Sequence, residues 1–170
     1  KNYVTARAIL PPQTVNDGVV EILLVEGRVG QILVENSRYT RESYFLKRVS
    51  LRPGDLVRPE RLEDDIIRFN LLNNSQISAE LRAGSEFGAT DVALKVDEPP
   101  INSGVVFVDN GGRYETGEYR VGLNVVRNSV FGWQDALSVG ATFSTGSLGV
   151  SLSYGIPIGV KGAKLAFAFD

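Results

Sequence analysis

From residue 118 onward the chain alternates with a period of two; one resulting face is apolar and the other carries only rare charges. In 118–127, Tyr119, Val121, Leu123 and Val125 point one way and Arg120, Gly122 and Asn124 the other. In 135–143, Leu137, Val139, Ala141 and Phe143 oppose Ala136, Ser138, Gly140 and Thr142, and in 147–156, Leu148, Val150, Leu152, Tyr154 and Ile156 oppose Gly149, Ser151, Ser153 and Gly155. Period-two alternation defines strands. An earlier strand over 104–108 and a fifth beginning near Gly162, with Leu165, Phe167 and Phe169 on one side, extend the series. A soluble sheet with one wet face carries Lys, Glu and Asp there. Between 118 and 156 the strands offer only Arg120 and the end residues Glu118, Arg127 and Asp135. Segments of about nine to eleven residues cross a bilayer at a tilt. The pattern predicts a membrane β-barrel, its apolar face toward lipid and its Gly/Ser/Ala/Thr face toward a lumen. A soluble sandwich serving as an adhesion or scaffolding module is the competing reading, and it would remain folded without detergent. The barrel reading places turns at 109–116, 128–134, 144–146 and 157–161. It also puts Phe131, Trp133 and Tyr154 near the inner interface, where aromatic belts sit; a plain hydrophobic anchor in a loop is the alternative for Trp133.

Composition changes near residue 100. Residues 1–100 hold 28 charged residues and 6 glycines, whereas 101–170 hold 10 and 12. Pro99-Pro100 marks the change, since neither proline continues a helix or a central strand. The first part reads as α/β. A hairpin is expected from Tyr3–Ile9 and Val19–Val25, with a turn at Asp17-Gly18, and the apolar run of its second strand predicts burial on both faces. A strand over Gln31–Glu35 follows, then a short helix from an N-cap at Thr40 to about Val49. Arg52-Pro53-Gly54-Asp55 is ordered as a type II turn. Pro59 fits the first position of a second helix, with Leu62, Ile66, Phe69 and Leu72 forming one apolar stripe. Glu60, Glu63, Asp64 and Asp65 sit where the helix dipole favours negative charge. Strands over Gln76–Ala83 and Thr90–Val96 complete a strand-helix-helix-strand-strand order. Leu23–Glu26 resembles Leu94–Asp97 in position, which predicts tandem copies of one module, the first cut off at its front. A chain that opens on Lys1-Asn2-Tyr3 reads as a piece of something longer.

Chemistry is sparse. The 170 residues contain no Cys and no His, which removes thiolate zinc sites, cysteine nucleophiles and the Ser-His-Asp arrangement. The net charge is −2 without a basic block, which argues against nucleic acid. No phosphate-binding glycine loop occurs, so no nucleotide is expected. Glu63-Asp64-Asp65 diverge around the helix and do not form a metal site, and Asp109-Asn110-Gly111-Gly112 lacks the spacing of a calcium loop. No cofactor and no enzymatic activity are expected. The productive feature is a sheet edge that can accept another chain by strand addition. Gln76, Ile77, Ser78, Ala79, Glu80, Leu81 and Arg82 are the candidate polypeptide-binding strand; the alternative is an edge that only pairs with a neighbouring module. Proline at Ser78 or Glu80 is expected to weaken partner binding more than alanine, because proline removes a backbone donor.

Several motifs carry a resemblance. Ala6-Arg7-Ala8-Ile9-Leu10-Pro11-Pro12-Gln13, Asp17-Gly18-Val19 and Val25-Glu26-Gly27 resemble the close of the first POTRA module in two-partner secretion transporters, the haemolysin activation and secretion proteins of Gram-negative outer membranes. Residues 28–98 are similar to the second module. Gly104–Val108 followed by Asp109-Asn110-Gly111-Gly112, Thr116-Gly117 and Tyr119-Arg120 resembles the barrel opening. Gly132-Trp133-Gln134-Asp135-Ala136-Leu137 resembles the next turn, often Gly-x-Gly-Asp-x-Leu, from which Trp133-Gln134 departs. The resemblance implies an α+β POTRA module followed by antiparallel strands of a transmembrane β-barrel. Its divisions are 1–27, the end of a first module; 28–98, the second; and 99–170, the opening strands of an incomplete barrel. It implies an outer-membrane protein with periplasmic POTRA modules, set in outer-membrane lipid, that binds the N-terminal secretion domain of an unfolded exoprotein and exports it through the pore. A barrel assembly or insertion factor built from the same parts is the alternative.

Overall fold

The computed structural model describes residues 7–10, 12–13 and 19–170. The rest of the expected first hairpin, including its start at Tyr3 and the Asp17-Gly18 turn, lies outside the described residues. The chain separates into two compact units. One takes the residues up to Asn36 with Phe45–Leu71 and Gln76–Asp97; the other takes Ser37–Tyr44, Leu72–Ser75 and Glu98–Asp170. The compositional boundary at Pro99-Pro100 thus lies one residue beyond a structural one, but two short loops of the first half belong to the second unit.

In the first unit β1 (Arg7–Ile9) and β2 (Leu23–Val25) pair antiparallel. The side-chain amide of Gln13 spans both main-chain groups of Glu21, donating to its oxygen at 2.7 Å and accepting from its nitrogen at 2.8 Å. Burial on both faces does not hold for the apolar run before and within β2. Val19, Ile22 and Leu23 are more than half exposed, because among the described residues this two-stranded ribbon has no layer to pack against.

The remaining strands of this unit are β3 (Arg28–Glu35), β4 (Gln76–Ala83) and β5 (Ala89–Asp97), in the order β3-β5-β4. β5 runs parallel to β3 and antiparallel to β4, and an irregularity between Val29 and Ile32 shifts the parallel register. Helices α1 (Glu42–Leu46) and α2 (Pro59–Leu72) complete the order read from the sequence. Gly54 has φ +89° and Asp55 N donates to Arg52 O, as a type II turn requires. Val29, Val49, Leu51, Val57, Leu62, Val92 and Leu94 form the core, with Ile66 and Ala79 packed on it. Phe45 and Phe69 meet at 5.6 Å.

Two local readings change. α1 is shorter than expected and Thr40 does not cap it; the Thr40 hydroxyl meets Ser129 Oγ at 2.9 Å instead. Asp65 is buried, and its carboxylate accepts the Ser50 amide at 2.6 Å, so a specific loop contact holds it rather than the helix dipole alone.

The second unit carries an antiparallel meander of β6 (Asn102–Asp109), β7 (Arg120–Asn128), β8 (Ala136–Ser144), β9 (Ser147–Ile158) and β10 (Ala163–Phe169), each paired with the next. The connections fall where the alternation breaks. Among the described residues no helix is long and apolar enough to cross a membrane, which says nothing of strands.

Candidate functional site

Strand register sorts the meander into two faces. Val108, Val121, Phe143 and Leu148 line up across four strands; Val106, Leu123, Ala141 and Val150 form the next row; Val125, Val139, Leu152 and Phe169 the next. Leu123 and Val139 are each 46% exposed, Phe143 54% and Leu148 62%, so these side chains rest on no second layer among the described residues. A soluble protein rarely leaves so large a contiguous apolar surface uncovered. The opposite face carries Gly122, Thr142 and Gly149 in one row and Asn124, Gly140 and Ser151 in another. Here Arg120 Nε donates to Asp109 at 2.8 Å, and a Cβ on Gly122 would overlap the Phe107 ring, which lies flat in the space a side chain would fill. Val105 shares the row of Asn124, and Val126 pairs with Ser138, so this face mixes small and polar side chains with a few apolar ones.

The loops of this unit are tightly built. Gly112 N donates to Glu118 O and Gly146 N to Thr116 O, which lays the 110–117 loop against the 144–146 turn. Gly117 has φ +101°, a backbone that L side chains rarely adopt. On the other side, the fully buried Asp135 carboxylate accepts the amides of Phe131 and Trp133 and the Tyr154 hydroxyl. Phe131 and Tyr154 pack edge to face at 6.2 Å. Trp133 instead lies under the Arg41 guanidinium, 5.1 Å from its ring centre, and beside Tyr44. No residue adjacent to Trp133 in the chain announces that stacking.

Glu98 closes the neighbouring 38–40 loop. Its Oε2 accepts the amides of Arg38 and Tyr39 at 2.7 and 2.9 Å, and its Oε1 that of Thr40 at 2.9 Å. Burial alone raises its pKa, but these donors more than offset it and hold the carboxyl below the usual carboxylate range. A depressed folded pKa stabilises fully above the unfolded value of about 4.3 and loses that stabilisation as pH falls through the folded value. Protection factors of the 38–40 amides are therefore expected to be high at neutral pH and to drop below about pH 4. Glu98→Ala is expected to remove the protection at every pH; unchanged factors would exclude this role.

Among the described residues β4 is an edge of its sheet, with β5 its one strand neighbour. Ile77 is buried, Ala79 and Arg82 are partly buried, and Gln76, Ser78, Glu80 and Leu81 are exposed. On the open face Glu80 bridges Lys95 at 2.6 Å and Arg82 at 3.0 Å, and Arg82 reaches Glu35 at 2.6 Å. Hydrogen bonds from Arg82 and Lys95 hold the Glu80 carboxyl down to about 2.

The direction of each backbone group follows from the two ends of β4. Gly84 N donates to Ala89 O, so even-numbered residues face β5. Ile77 N and O are both taken by the Asn70 side chain, so odd-numbered residues face away. Ser78 and Glu80 thus donate into the sheet, and proline there disrupts β4 itself. The outward donors are Ala79, Leu81 and Ala83, which corrects the choice of proline positions made from the sequence.

Comparisons with known proteins match this geometry. Residues 88–167 fit the family model of the haemolysin secretion/activation protein ShlB/FhaC/HecB, and residues 1–27 that of the ShlB-type POTRA domain. The chain is thus similar to the ShlB/FhaC/HecB family over 88–167 and to that family's type of POTRA domain over 1–27. It is 31% identical over 140 residues to the heme/hemopexin transporter protein HuxB of Haemophilus influenzae (strain 86-028NP), covering 81% of this chain and 25% of that relative. It is 28% identical over 148 residues to the outer membrane transporter CdiB of Dickeya dadantii, covering 85% of this chain and 25% of that protein. It thus spans about a quarter of the length of these relatives. CdiB from Escherichia coli superposes on 98% of the chain, and on 32% of its own, with TM-score 0.60 at 24% identity. BamA from Haemophilus ducreyi does so over the same shares with TM-score 0.62 at 20% identity. The fold is therefore an α+β POTRA-type module followed by antiparallel barrel-type strands. The likeness to the ShlB/FhaC/HecB family also makes sense of the turn at Gly132–Leu137. The glycine usual in the resembling motif falls at Gln134, whose φ of +55° is left-handed. This chain keeps that conformation without glycine, and Gln134 Nε2 donates to Ser75 Oγ at 2.7 Å.

Proposed function

We propose that this chain is part of an outer-membrane translocator for two-partner secretion. Its module binds an unfolded exoprotein in the periplasm, and its strands form part of the pore wall through which the exoprotein leaves. Outer-membrane lipid covers the apolar face. The protein transports rather than catalyses, and neither nucleotide nor nucleic acid takes part. The observation that carries the reading is the exposed apolar face of five paired strands, in one chain with a sheet whose edge remains open. Capture proceeds by strand addition along β4 between Gln76 and Arg82, where the backbone supplies affinity and alternate side chains supply preference. Each main-chain hydrogen bond contributes about 0.5–1.5 kcal/mol net, so a handful holds a chain that must later be released.

The likeness to BamA supports a second reading, assembly of other barrels. Deleting the gene separates the two. Secretion predicts that one exoprotein, encoded beside it, is retained while the other outer-membrane proteins keep their levels. Assembly predicts a general fall in those proteins. Unchanged export together with unchanged outer-membrane composition would exclude both.

A further inference from the structure

The Asn70 side chain occupies the edge of β4 as a strand would. Its Nδ2 donates to Ile77 O at 3.0 Å and its Oδ1 accepts from Ile77 N at 2.8 Å. These are the two bonds that one residue of an antiparallel neighbour makes to a facing residue. Asn70 lies near the end of α2, and its own carbonyl accepts from Gln76 Nε2 at 3.4 Å, which ties the helix end to the start of β4. Beyond Ile77 the outward groups belong to Ala79, Leu81 and Ala83, and among the described residues no second strand pairs with them.

We propose that Asn70 is a register stop: an extended exoprotein segment added to β4 seats its rungs on Ala79, Leu81 and Ala83 and ends where Asn70 holds Ile77. The inference rests on the strand-addition reading above and adds what limits the register and which side chains fit. Residues directly opposite in a ladder project to the same face. Those facing Ala79 and Leu81 therefore lie on the helix side, where Ala79 packs on the core and Leu81 is 39% exposed. Ile67, half exposed, shares a face of α2 with Asn70 one turn away. Those facing Glu80 and Arg82 lie on the charged open side. The segment that fits has apolar residues at alternate positions and polar ones between them.

The test uses the whole protein in detergent micelles and a synthetic peptide of sequence Lys-Thr-Val-Thr-Val-Thr-Lys, with exchange resolved to single amides. In the unaltered protein the peptide is expected to slow exchange at Ala79 and Leu81 and to leave the already protected Ile77 unchanged. Asn70→Ala is expected to make Ile77 exchange fast in the free protein, to let the peptide protect it, and to tighten peptide binding by roughly 2–10-fold, the value of one added rung. Asn70→Leu keeps a branched side chain of comparable shape that can neither donate to nor accept from Ile77. It is expected to free the Ile77 amide and carbonyl as alanine does, and it provides the answer should the alanine variant not fold. No protection at Ala79 and Leu81 in the unaltered protein would overturn strand addition itself. Protection there without new protection at Ile77, or without tighter binding, in both variants would overturn the register stop and leave strand addition standing.

Discussion

Val139→Arg is expected to cost about 2–4 kcal/mol of stability in a bilayer, the largest loss from any single change on the strands. Val139 lies in the row with Val125, Leu152 and Phe169, between the apolar row of Leu123, Ala141 and Val150 and the row of Leu137, which also holds Arg127 and Tyr154. A guanidinium there has no polar atom of the protein within the row to meet, and water is excluded if the face contacts hydrocarbon. Ser151→Arg is the matched control. It adds the same charge one strand away but on the opposite face, in the row of Asn124 and Gly140, where a lumen supplies water. It is expected to change stability by less than about 1 kcal/mol. Reversible denaturant unfolding of the whole protein in lipid vesicles measures both. Comparable losses would mean that the two faces meet the same environment, and the membrane reading would fail.

Strand identity and facing were legible in the sequence because a period of two is a property of the residues themselves. The same holds for α2, whose Leu62, Ile66 and Phe69 meet the core, and for Gly54, which the type II turn demands at its third position. What was not legible depends on residues distant in sequence. Asn70 and Ile77 stand seven residues apart but form a strand-like pair only once α2 has folded back along β4. Without that pair the outward parity of β4 is undetermined, so the sequence alone does not separate Ser78 and Glu80 from Ala79 and Leu81 as outward donors. Asp65 looked like one acid among four because its partner, Ser50, comes from another segment. Trp133 looked like a membrane anchor because nothing in its neighbourhood announces Arg41 and Tyr44. The exposed run at Val19–Leu23 misled for a related reason: apolar composition states a need for burial, not the presence of a partner to meet it.

Asp135→Ala is the second large expected loss, about 3 kcal/mol or more, and it acts through one turn. The Asp135 carboxylate is fully buried and accepts the amides of Phe131 and Trp133 and the Tyr154 hydroxyl. Leaving a buried donor unpaired costs about 1–3 kcal/mol, and alanine orphans all three. The turn also has backbone cost to offset, because Ser129 and Gln134 sit at φ +53° and +55°, in a region that costs a non-glycine residue about 1–2 kcal/mol. Those conformations persist only while the surrounding bonds over-determine them. Removing the carboxylate therefore lets the turn relax and withdraws Trp133 from Arg41. Asp135→Asn keeps one acceptor oxygen and turns a donor toward the amides, so it is expected to lose an intermediate amount. Denaturant unfolding together with Trp133 fluorescence reads both effects, since Trp133 is the single tryptophan of the chain. Alanine and asparagine variants within about 1 kcal/mol of the unaltered protein, with unshifted emission, would show that the turn is held by its backbone bonds alone and that Asp135 is dispensable to it.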